Sequence, residues 1–154
     1  MKRSGLLFLL FLFLVNIQAC KDKNSEAVDP RNQYIGNYDV AYTSSTTLND
    51  FPFVPKETAS GTIVITKGAA ADELKLAIAF KNYNEEVGAK LQGNKFTVLK
   101  QKEKVYINEY NTFEADYAGS GEFSGANLNI TAIAQTTANG GKVVKNMVFN
   151  GIKK

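Results

Sequence analysis

Histidine and tryptophan are missing from this chain, and one cysteine and three prolines are all it has of those residues in 154 positions. Without histidine it lacks the commonest general base and the commonest metal ligand, which argues against Ser-His hydrolase triads and zinc centres. A single cysteine excludes a disulfide within the domain and a thiolate metal cluster. No sign of charge dominates either. Eighteen Lys and Arg stand against fifteen Asp and Glu, and Lys2 and Arg3 belong to an N-terminal leader, so sixteen bases remain. Near-balanced charge, with the bases scattered along the chain, is not the footprint of a nucleic-acid binder.

Long apolar runs are equally scarce. The one present, Leu6 to Val15, has ten residues. As a helix it would rise about 15 Å, roughly half the hydrocarbon thickness of a bilayer, which is too short for a permanent span. Basic residues precede it and Ile17, Gln18, Ala19 and Cys20 follow, the layout of a signal peptide over residues 1–19. These four residues resemble the lipobox of bacterial lipoproteins, with Gln18 where a small or aliphatic residue is usual. The resemblance implies cleavage before Cys20 and diacylglycerol on its thiol. It also implies a place in the cell envelope, anchored to the outer membrane and facing the periplasm or the exterior. Each buried methylene contributes about 0.8 kcal/mol, so two or three acyl chains on one residue hold almost permanently.

From Lys21 to Gln33 the chain is polar, charged and interrupted by Pro30, the composition of a flexible tether. Residues 20–33 are thus expected to link a lipidated cysteine to a single domain over 34–154. The stretch Lys21, Asp22, Lys23 is similar to the charged surface-export signals of Bacteroidetes lipoproteins.

Beyond Tyr34, apolar and polar residues alternate, and turn residues interrupt the alternation every eight to twelve positions. Tyr34, Tyr38, Val40 and Tyr42 share one face of a first strand. Ile63 and Ile65 mark a second, and Leu74, Leu76, Ile78 and Phe80 a third. Val87, Ala89 and Leu91 lead into a tight turn at Gly93 and Asn94, after which Phe96 and Val98 resume. Val105 and Ile107 follow, then a long Gly-interrupted strand from Phe113 to Phe123. Leu128 to Ala134 and Val143 to Phe149 complete the set. The expected fold is all-β, an antiparallel up-and-down meander of about eight to nine strands closed into a small barrel or barrel-like sandwich. Gly36, Asn37 and Tyr38 resemble the glycine, any residue, tryptophan signature that opens lipocalins, with Tyr in place of Trp. That resemblance, nearest to the small lipocalin-like lipoproteins of Bacteroidetes, implies a cavity open at one end.

Binding is the expected activity, with no catalytic residues, no cofactor and no metal. The segment Ser44 to Ser60 reads as a long irregular connection whose Phe51 and Phe53, stiffened by Pro52 and Pro55, pack on something. They plug the barrel end, lid a cavity or meet a protein partner. Tyr38, Tyr42, Tyr106 and Tyr117 join them as candidate ligand contacts, since tyrosine offers a ring and a polar tip together; as core residues they would only seat their hydroxyls at strand ends. The densest group of acids and aromatics, Tyr106, Glu109, Tyr110, Glu114 and Asp116, has carboxylates suited on paper to glycoside cleavage, but acids flanking turns are usually solvated. The partners expected are the membrane through the lipid, and a small apolar or amphipathic ligand. A surface protein bound by a solid barrel is the alternative.

Overall fold

The computed structural model describes residues 28–154 apart from 82, 109, 110 and 139. The leader, Cys20 and the tether up to residue 27 therefore lie outside the described residues. Nine strands are present among those described: β1 (Gly36–Leu48), β2 (Phe51–Lys67), β3 (Glu73–Phe80), β4 (Tyr83–Gln92), β5 (Lys95–Val98), β6 (Lys102–Asn108), β7 (Asn111–Ser124), β8 (Asn127–Ala138) and β9 (Gly141–Lys153). All pairings are antiparallel, in the order β5-β4-β3-β2-β1-β9-β8-β7, and β5 pairs back onto β7 to close an eight-stranded barrel. The ninth strand, β6, continues the line of β5 along the same edge of β7.

Period-two patterning produces the core. Tyr38, Ile63, Ile65, Leu74, Leu76, Leu128, Val105 and Val143 are the largest fully buried side chains, and all but Val143, which the also buried Val144 follows, alternate with more exposed neighbours along their strands. Eight strands enclose a space that side chains themselves fill. Here they pack closely, and the void that Leu76, Ile78, Val98, Ile130 and Met147 border measures about 20 Å³. Gly121 serves this filling, since a Cβ at that position would run into the ring of Phe96, a core residue of the facing strand.

One end of the barrel is sealed. Pro30–Gln33 form a 3-10 helix, begun by Asp29, whose carboxylate accepts from the Arg31 amide at 2.9 Å. Arg31 then donates to the carbonyls of Gly68, Ala70 and Glu73 across the β2–β3 turn, at 3.3, 2.6 and 3.2 Å. Hydrogen bonds from Arg31 and Lys67 hold the Asp29 carboxyl well below the usual carboxylate range. The last four residues of the expected tether are therefore helical and docked. Tyr34, expected on the first strand, instead follows this helix. Its ring stacks on Phe123 at 4.3 Å, and its carbonyl accepts from the Tyr38 hydroxyl at 2.8 Å.

The opposite end is taller and open. The expected irregular segment Ser44 to Ser60 is instead a long β1–β2 hairpin turning at Asn49 and Asp50, which both take positive φ, 50° and 67°. A two-residue loop of this kind suits the right-handed twist of paired strands. Two properties hid the strand. The inward positions of upper β1 are Ser44 and Thr46, buried but polar, and the facing arm of β2 is mostly exposed, so Thr43 to Thr47 carry no apolar alternation. And β3 pairs with β2 only over Gly61 to Lys67, which leaves 51–60 as an edge where Pro52 and Pro55 are tolerated.

Candidate functional site

Above the sealed core, the upper half of β2 on one side and β6 on the other leave a gap over the β3–β4 turn. A cavity of about 670 Å³ occupies it. Its floor is aromatic: Tyr42 lies 4.8 Å from Phe149 and 5.7 Å from Phe80 between ring centroids, with Met147 beside them. Gly61 makes room for this floor, because a Cβ there would collide with the Phe80 ring across the strand pair.

One wall carries an ion pair that faces inward. Register places Ser44 opposite both Glu57 and Met147, and Thr46 opposite Lys145, so all of them share the face that lower down is core. Lys145 Nζ lies 2.9 Å from Glu57 Oε2, which also accepts from the Ser44 hydroxyl at 2.7 Å. The lysine side chain is only 14% exposed. Burial opposes its charge, but the hydrogen bond to Glu57 and the nearness of Tyr42 outweigh burial and raise its pKa. Burial likewise pushes Glu57 up, and the Lys145 and Ser44 hydrogen bonds pull it further down, for a net lowering. The pair thus stays ionised throughout the neutral range. Its stabilisation fades as pH falls through the lowered Glu57 value or climbs through the raised Lys145 value.

A second polar group closes the seam between β4 and β6. Below it β4 pairs with β5 over Ala89 to Gln92, and the last backbone link is Leu99 N–H to Gly88 O at 2.8 Å. Higher up, Lys100 bridges the strands, 2.5 Å from Glu85 and 2.5 Å from Glu103, with its ammonium 5.4 Å from the centre of the Tyr117 ring. Tyr83 donates to Glu85 from the other side. Burial, the Glu85 hydrogen bond and the surrounding negative charge push the Tyr83 hydroxyl far above its usual pKa. Burial, with the same two carboxylates nearby, raises Tyr117 too. Both are neutral donors at any physiological pH. Among the described residues no buried side-chain nitrogen or oxygen lacks a partner.

The residues singled out in the sequence fall in different places. Tyr42 and Tyr106 line the mouth cavity, and Tyr117 borders the small void beneath it. Tyr38 is fully buried near the sealed end, beside Phe123. Phe51 and Phe53 are neither plug nor part of the cavity lining: they are 75% and 47% exposed on the free arm of the hairpin. Glu114 and Asp116 face solvent on β7, where Lys102 holds them at 3.8 and 2.7 Å. Glu109 and Tyr110 lie outside the described residues. Glu57, Lys145, Lys100 and Glu103 were missed. Only Lys145 gave a legible signal, interrupting the inward-facing apolar series between Val143 and Met147, whereas Lys100 and Glu103 fall at the ends of their series and Glu57 in a segment that reads as irregular.

Scanned against known protein families and against curated proteins, the chain matches none. Among solved structures it is similar to a protein of unknown function from the DUF3598 family of Nostoc punctiforme PCC 73102. The two share 12% identity and a TM-score of 0.45 over 80% of this chain and 48% of that one, so this chain spans about half its length. It is also similar to the monomer form of the M. tuberculosis PknI sensor domain, with 11% identity and a TM-score of 0.46 over 78% of this chain and 86% of that one.

Proposed function

We propose that this β-barrel protein binds a small amphipathic molecule in its mouth, and that it does so at the cell envelope, carried on lipid at Cys20. One observation carries the binding reading: a cavity of about 670 Å³ with an aromatic floor and charged walls, while the void bordered by core residues beneath it measures only about 20 Å³. That size lies within the few hundred to about 1,000 Å³ usual for small-molecule sites, and an apolar base with a few polar groups is their usual lining. The chain enters at the sealed end through Asp29 and the 3-10 helix, so an anchor on Cys20 would hold the mouth away from the bilayer. Intact mass of membrane-extracted protein checks the anchor. The first nineteen residues should be gone and acyl mass present, and a bare Cys20 contradicts it.

Ala59 faces the cavity opposite Tyr42 on the free edge of β2, so a larger side chain there fills the mouth without disturbing the core. Ala59→Trp is expected to weaken binding of the neutral dye 1-N-phenylnaphthylamine by tenfold or more, about 1.4 kcal/mol, with the melting temperature unchanged. Unchanged dye affinity, or no dye binding by the parent protein, would sink the reading. A dye-blind parent protein favours the second reading, a protein partner, which rests on the exposed Phe51 and Phe53 and on the closely packed interior.

A further inference from the structure

The charges around the mouth divide unequally between those already matched and those left over. Of the two carboxylates in the lining, Glu57 is held by Lys145 and Ser44, and Glu103 by Lys100. Of the three lysines, Lys145 is matched to Glu57, but Lys81 and Lys104 make no ion pair among the described residues. Both are exposed. Lys81 immediately follows Phe80, one of the floor aromatics, and lies just beyond the end of β3. Lys104 stands on β6, the strand bordering the gap, next to Glu103. Glu114, directly opposite Lys104 on β7, and Asp116 share the one ammonium of Lys102, at 3.8 and 2.7 Å. Further along the seam, Glu85 shares the Lys100 ammonium with Glu103.

The result is a graded site, with apolar rings at the base, ion-paired charges on the walls and two rim ammonium groups that make no ion pair among the described residues. Building on the mouth-binding reading, we infer that the ligand is a single-chain amphiphile with an anionic head, its chain laid on Tyr42, Phe80 and Phe149 and its head held between Lys81 and Lys104. Depth and charge agree in this arrangement. A chain gains from the apolar floor, while the head stays in water at the rim, where charge-assisted hydrogen bonds from two lysines need no costly desolvation. A cationic head would meet the two ammonium groups, and both carboxylates of the cavity lining already have a lysine partner.

The test compares cis-parinaric acid with its methyl ester, which share one fluorescent chain and differ in charge. The acid is expected to bind at least tenfold more tightly, with the preference shrinking as salt is added. Lys81→Glu/Lys104→Glu should bring the acid-to-ester ratio down to about one or below. Lys95→Glu, an exposed change at the sealed end, should leave the ratio as it was. Equal affinities in the parent protein, a preference that survives the double reversal, or tighter binding of dodecyltrimethylammonium would each overturn the anionic head while leaving mouth binding intact. Failure of both acid and ester to bind would remove the mouth reading itself.

Discussion

Phe123→Ala is expected to destabilise the protein by about 4 kcal/mol, among the largest effects of any single truncation. Phe123 is 2% exposed and touches three other rings: Tyr34 stacked at 4.3 Å, Phe96 at 5.1 Å and Tyr38 at 6.2 Å. Removing it leaves a cavity and takes away the surface on which the residue after the 3-10 helix rests. The sealed end then loses its cover as well as its packing. For a domain of this size the loss corresponds to a fall in melting temperature on the order of 15 °C, read from far-ultraviolet circular dichroism. Urea unfolding of the same variant gives the free energy directly. A loss below about 1 kcal/mol would mean that the end is not packed as described.

Lys100→Met is expected to cost about 2–3 kcal/mol, less than the 3–5 kcal/mol of a fully buried broken pair because its partners keep some contact with water. The lysine side chain is 15% exposed, Glu103 16% and Glu85 27%, so the variant leaves two carboxylates facing each other with little solvent to separate them. Adding Glu103→Gln to Lys100→Met should restore about half of the loss, which identifies repulsion and not lost side-chain volume as the cause. The wild-type pH dependence has a definite sign. Burial works against the Lys100 charge, yet its hydrogen bonds to Glu103 and Glu85 raise its pKa overall. A raised lysine stabilises fully below its unfolded value and less as pH climbs through the folded one, so this contribution is present at neutral pH and disappears in the alkaline range. Chemical denaturation between neutral pH and pH 11 should show parent and Lys100→Met stabilities converging.

The strands below the mouth were legible because each has one wet face and one dry one. Leu74 to Ile78 and Leu128 to Ala134 place apolar residues at every second position, and the structure buries that set, with Ile133 the one large apolar side chain on the wet face. Legibility stopped where that contrast stopped. In the upper β1–β2 hairpin the inward positions of β1 are the buried but polar Ser44 and Thr46, Pro52 and Pro55 sit on an unpaired edge, and the turn is Asn-Asp without glycine, so a strand pair reads as a loop. Phe51 and Phe53 suggested packing by their type alone, but what aromatic rings touch depends on which strands rise beside them, and β3 stops short. Tyr38 and Tyr42 share a face and yet have different roles, because the barrel is sealed at one end and open at the other. Their positions in sequence do not reveal which end is which. Lys145 was the readable exception, a charged residue at inward parity whose partner, Glu57, lies on a strand distant in sequence.

On the proposed reading, ligand reaches the mouth and goes no deeper, because side chains pack the barrel closely below it. Methyl-resolved nuclear magnetic resonance of the cis-parinaric acid complex tests this most directly. Contacts from the bound chain to Met147 and Ala59, with none to Leu74 or Leu128, are the predicted result. Contacts to Leu74 or Leu128 would show a chain threading the interior and would contradict the account.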